Sequence, residues 1–220
     1  MRVLLAAVVV AAACAFSSLA AAEDTDDAPE LWFNPSAEWA LDDDTAVELE
    51  TAQRLRREED GRADTYFARL WLNQDLSDDL KASVGVERRE NQPGSGETRL
   101  LQQVAISRGV FRSRLRMEQR FVDNADRTGV RFRPRAGVSV PVTADGRWSA
   151  KADAELFLTL RSTSRGGDEG LTGLRTQIGA EWEVNDRLSL TLAYLRQQDI
   201  REDAEDVVGH APLIGVELSF

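Results

Sequence analysis

The sequence is poor in the residues that most soluble chemistry uses. In 220 residues it has one cysteine, Cys14, one histidine, His210, and two lysines, Lys81 and Lys151. One cysteine excludes a disulfide framework within the chain, and with one histidine it excludes zinc sites and cysteine–histidine catalytic pairs that need extra partners. A formal net charge of -11 excludes a basic nucleic-acid binder. Acidic residues cluster at Asp123 and Asp126 and at Asp203, Glu205 and Asp206, but their spacing does not resemble a calcium loop, and no metal or cofactor is expected. What is abundant is arginine, 25 residues of it, in a chain that is 42% hydrophobic and 30% charged.

Residues 1–22 read as a secretory signal peptide. Arg2 supplies a positive start, Val3 to Ala13 an apolar run too short to span a bilayer as a helix, and Ala20, Ala21 and Ala22 the small residues before Glu23. Lipidation of Cys14 is the alternative, although the preceding run lacks the larger aliphatic residue that lipoprotein signals resemble. Residues 23–30 (EDTDDAPE) are expected to be an acidic disordered leader, and residues 31–220 the folded unit.

That unit alternates with a period of two. From Trp148 to Arg161 the apolar residues Trp148, Ala150, Ala152, Ala154, Leu156, Leu158 and Leu160 share one face, and only Phe157 breaks the opposite, polar one. The same split separates Phe111, Leu115, Met117 and Phe121 from Arg112, Arg114, Arg116, Glu118 and Arg120. Strands this long, apolar on one side and charged on the other, match a transmembrane barrel. Short and long connections take turns, so counting back from Phe220 gives ten spans: 45–57, 65–75, 80–90, 98–108, 110–122, 129–141, 147–161, 172–184, 188–200 and 210–220. The expected fold is an all-β, closed, antiparallel up-and-down transmembrane barrel of about ten strands, with twelve as the alternative. Leu31–Leu41 is left as a partial strand or edge, because a periplasmic amino terminus cannot supply a simple eleventh span.

Trp39, Phe111, Trp148, Trp182 and Phe220 lie beside the short turns, as an interfacial girdle requires. Trp71 has inward parity, so either its strand carries a bulge or the indole fills the lumen. Pro134 predicts a local irregularity. The carboxyl end, with Ile214, Val216, Leu218 and Phe220 on one face, resembles the signal by which bacterial outer-membrane barrels are recognised by the assembly machinery. The chain as a whole, with Arg-Leu-Arg-Met-Glu-Gln-Arg-Phe at 114–121 followed by Arg131-Phe-Arg, resembles the bacterial outer-membrane family of domain of unknown function 2490. That resemblance implies location and fold and carries no catalytic residues.

Inward parity gathers a charged lumen. Arg54, Arg56, Arg69, Arg112, Arg114, Arg116, Arg131, Arg133, Arg135 and Arg175 are expected to face Glu48, Glu50, Glu87, Glu118, Glu155, Glu181, Glu183 and Glu217. Paired, they would plug a narrow barrel; with arginine in excess, they would instead line an anion-preferring channel. Outward parity places Arg57, Arg88 and Arg196 at the external strand ends, where lipopolysaccharide phosphates would meet them. His210 with Ser162 or Ser164 is the only candidate set for a lipid-modifying enzyme, and its spacing offers no support. A non-enzymatic monomer in outer-membrane lipid is the expectation.

Overall fold

The computed structural model describes residues 26–56 and 63–220. The expected signal peptide, Cys14 and Arg57 lie outside the described residues. Eleven strands form one closed sheet: β1 (Asp26–Ala40), β2 (Thr45–Arg56), β3 (Asp64–Ser77), β4 (Leu80–Gln92), β5 (Glu97–Arg108), β6 (Phe111–Val122), β7 (Gly129–Pro141), β8 (Trp148–Arg161), β9 (Gly170–Asn185), β10 (Leu188–Asp199) and β11 (Val207–Ser219). No described helix is long and apolar enough to cross a membrane, which says nothing of a barrel.

The ten expected spans correspond to β2 through β11 with ends within a few residues. The strand count is corrected to eleven by β1, which is neither partial nor an edge. It pairs antiparallel with β2 and parallel with β11, from Asp26 beside Val207 to Glu38 beside Ser219. A parallel closing seam makes an odd strand number possible, and it starts β1 at the same end of the barrel as the longer loops. The expected leader is shortened for the same reason, since Asp26 to Glu30 already belong to the sheet. Glu30 tolerates that place because its buried carboxylate accepts from the Trp32 indole and lies 3.1 Å from the Arg56 guanidinium.

One end carries the connections 41–44, 78–79, 109–110, 142–147 and 186–187; the other carries 57–63, 93–96, 123–128, 162–169 and 200–206. Gly109 and Gly146 adopt positive φ (59° and 75°) in two of the first group, where a side chain would be strained. At Pro134 the β7–β8 ladder is interrupted between Phe132–Leu158 and Arg135–Glu155, as a missing N–H requires. Pro35 leaves the same gap between β1 and β2.

The outward surface is an apolar band, with Leu70, Leu72, Val84, Leu115 and Leu192 exposed. Trp39 stacks on Phe220 at 5.9 Å and Trp148 on Trp182 at 5.4 Å, so the girdle residues sit together at the short-turn end. Ile214, Leu218 and Phe220 are exposed on that band. The sheet also closes there, with the Phe220 N–H donating to the Glu38 carbonyl (3.0 Å) and the Ala40 N–H to the Phe220 carbonyl (3.1 Å).

Candidate functional site

Strand parity sends every second side chain inward, and the barrel is narrow enough for those chains to meet. Three glutamates from three strands form the centre. Glu87 on β4 receives Arg69 Nε at 2.8 Å and Arg89 Nε at 2.9 Å. Glu118 on β6 receives Arg131 at 2.7 Å and Arg133 at 2.6 Å. Glu155 on β8 receives Arg133 at 2.7 Å, Arg175 at 3.3 Å and Arg114. Glu87 and Glu118 are 0% exposed and Glu155 is 1% exposed, so no carboxylate of this belt meets solvent.

Arg99 joins the belt to its neighbours, lying 2.6 Å from Glu97, 3.5 Å from Glu87 and 3.7 Å from Glu118. Glu97 also receives Arg120 at 2.6 Å, and Arg69 also reaches Glu50. Among the described residues, eight arginines (69, 89, 99, 114, 120, 131, 133 and 175) thus share five glutamates (50, 87, 97, 118 and 155) in one connected set. Each carboxylate except Glu50, which pairs with Arg69 alone, is shared by two or more guanidiniums, which suits their fixed forks of donors.

Aromatic rings fill the spaces between these forks. Trp71 points inward, opposite Glu48 on β2 and Gly85 on β4, with the register shift of its strand lying beyond it between Asp75 and Ser77, and it lies 5.0 Å from the Arg116 guanidinium. Phe157, the break in the alternation, has Arg133 over its ring at 4.4 Å. Phe67 has Arg69 at 4.7 Å, and Trp32 has Arg54 at 3.9 Å. A guanidinium over an aromatic face keeps its in-plane N–H groups for hydrogen bonds while the cation gains from the ring quadrupole.

The structure divides the expected lumen set. Arg54, Arg69, Arg114, Arg116, Arg131, Arg133 and Arg175 come together with Glu50, Glu87, Glu118 and Glu155 in and around the belt. Arg56 pairs with Glu30 instead, and Arg116 donates to Gln103 at 2.6 Å. Arg135 pairs with Asp153 at 2.5 Å toward the short-turn end. Arg112 is corrected: it is exposed and donates to the carbonyls of Gly109 and Phe111, because its strand has only just begun. Glu48 bonds Asn73 at 3.3 Å and Glu181 pairs with Lys151, while Glu183 and Glu217 are exposed near the short-turn mouth. Sequence reasoning missed Glu30, Arg89, Glu97 and Arg99, and it left Arg120, placed on the charged face, out of the lumen set. Arg89 was available from parity alone, as the inward neighbour of an outward Arg88.

Of the expected headgroup residues, Arg88 is engaged with its own carboxylates, Asp123 at 2.8 Å and Glu90 at 2.7 Å. The Arg88 hydrogen bond holds the Asp123 carboxyl below the ordinary aspartate value. Arg196 donates to Gln198 at 3.1 Å. His210 meets Tyr194 through its Nδ1 and a ring stack at 5.9 Å. Ser162 and Ser164 belong to the loop between β8 and β9, so β9 and β10 separate them from His210, and the structure does not bring the three together. No group of three metal-ligating side chains occurs among the described residues.

A closed eleven-stranded barrel with an ion-paired, aromatic-packed interior is therefore the class the fold and site define. Residues 30–208 match the family described as protein of unknown function (DUF2490), and the chain belongs to that family. The fold is similar to a solved structure of the NanC porin in a rhombohedral crystal form, with a TM-score of 0.52 over 76% of this chain and 85% of that chain. Sequence identity to it is 6%, so the likeness concerns the barrel alone. No curated protein matches the sequence.

Proposed function

We propose that this protein is an exported outer-membrane barrel whose lumen is closed across the middle, so that it stands in the membrane as a structural, non-conducting cylinder. One observation carries the reading: Glu87, Glu118 and Glu155 are fully enclosed and each is held by several arginines. A carboxylate taken from water costs several kcal/mol in effective terms, roughly offset only where charge-assisted hydrogen bonds surround it. Such a belt is expensive to open, and an ion crossing it would have to displace a guanidinium. The apolar band, the stacked girdle and strands of 12 to 16 residues support a bilayer setting with lipid around a monomer. The reading includes no catalytic residue, metal or cofactor.

The test is single-channel recording of the purified barrel in a planar bilayer under a salt gradient. The expected record is silent. Discrete, anion-preferring steps would replace this reading with the second one, a narrow anion channel, which the excess of arginine over glutamate in the connected set favours.

A further inference from the structure

Between the belt and the long-loop mouth lies a chamber of about 210 Å³, lined by eight arginines and a single glutamate, Glu97. Its strangest member is Arg54. This side chain is 8% exposed, its Nε finds no hydrogen-bond partner, and among the described residues it forms no ion pair. What holds it is the face of Trp32, 3.9 Å from the guanidinium, with Arg175 on the same indole at 4.8 Å. The Nε atoms of Arg99 and Arg133, also in the chamber wall, are likewise buried without a partner. Six of these eight lining arginines (89, 99, 120, 131, 133 and 175) belong to the connected set in which eight arginines share five glutamates, so among the described residues arginine is in excess around the chamber.

A buried charge without a partner is costly, and Arg54, in a wall where arginine outnumbers glutamate, is stabilised by an anion that neutralises it. We infer that this chamber binds a small, multiply charged oxyanion of the phosphate class. Guanidinium forks match the spacing of phosphate oxygens two by two. Trp32 and Phe157 hold the planes of Arg54, Arg175 and Arg133 in place before the anion arrives, which lowers the ordering cost of binding. Size sets the upper bound. At about 210 Å³ the chamber is smaller than the roughly 300–1,000 Å³ of pockets for drug-sized ligands, which suits inorganic phosphate or a small monoester better than a lipid. The excess of arginine over glutamate in the lining favours a dianion over a monoanion such as acetate.

The inference stands apart from the closed belt, because the chamber opens to the long-loop side whether or not ions cross the centre. The experiment is isothermal titration of the purified, folded full barrel in detergent with inorganic phosphate and, separately, with acetate. Saturable phosphate binding, tighter than acetate, is expected. Arg54→Gln should weaken it about tenfold or more, the loss of a charge-assisted fork, and Arg54→Lys should weaken it less. The outward Arg88→Gln should leave it unchanged. Folding of each variant is read from the shift in gel mobility on heating, and if Arg54→Gln does not fold, Arg54→Lys alone decides. No binding at millimolar phosphate, equal binding of acetate, or unchanged affinity in the folded Arg54 variants would overturn the proposal. Competition by lipopolysaccharide would do the same, by moving the phosphate to the lipid face.

Discussion

Gly85 on β4 stands directly opposite Trp71 on β3, and the space left by its missing side chain is where the indole lies. A Cβ at Gly85 would come within 2.5 Å of Trp71 Cε3 and 2.8 Å of the Leu70 carbonyl oxygen. Neither can retreat cheaply, because the carbonyl is in the sheet and the indole is buried beneath Arg116. Gly85→Val should therefore destabilise the barrel by about 1–3 kcal/mol, the usual cost of overpacking. Urea unfolding followed by Trp fluorescence in lipid vesicles checks this, and an unchanged midpoint would show that the indole has room.

The belt makes a sharper claim about charge. Glu118→Gln keeps the shape of the side chain but removes the carboxylate that Arg131 and Arg133 share and that Arg99 approaches. Breaking a buried pair from one side leaves the partner charge uncompensated, at a cost of about 3–5 kcal/mol. The same change at exposed Glu183 should cost under about 0.5 kcal/mol. Parallel urea titrations of the two variants test the contrast, and equal losses would mean that the belt is not a centre of stability.

Much of this was legible in the sequence because a barrel strand has only two faces. Parity alone separated Leu115 and Phe121, which meet the outside, from Arg114 and Arg116, which meet the lumen. Two features were not legible for physical reasons. The seam between β1 and β11 is parallel and joins residues 181 positions apart, from Asp26 beside Val207 to Glu38 beside Ser219, so no turn, glycine or local pairing announces it. The inward aromatics Phe157 and Trp71 read as misfits in the pattern, because their partner is the flat face of an arginine and not another apolar chain. Which arginines share which glutamate depends on neighbours across several strands, and a one-dimensional pattern carries no such information.

Asp123, on the loop after β6, offers a test at the barrel's rim. Its carboxyl is lowered from 3.8 first by the Arg88 hydrogen bond, then by the Arg88 charge. A lowered folded-state value means that the contact contributes above the unfolded value and is lost as pH falls through the folded one. Arg88→Gln should bring the Asp123 midpoint back toward 3.8 in a carbon-detected NMR titration. A midpoint that does not move would show that the guanidinium is not on Asp123 in the folded protein.

Phe220 links closure of the sheet to the resembled assembly signal, and the two roles predict different outcomes. Its backbone completes the seam with Glu38 and Ala40, while its ring only stacks on Trp39 at the girdle. If the ring is what the assembly machinery reads, Phe220→Ala should lower the amount of folded barrel in cells while Trp39→Ala lowers it little. The purified variants should then be destabilised alike, by about 0.5–1.5 kcal/mol for the lost stack. If the ring serves only the girdle, the two variants should match in cells as well as in vitro. Folded-band intensity in outer-membrane fractions, set beside urea midpoints of the refolded proteins, separates recognition from packing, because only recognition can make the two substitutions differ in one measurement and agree in the other.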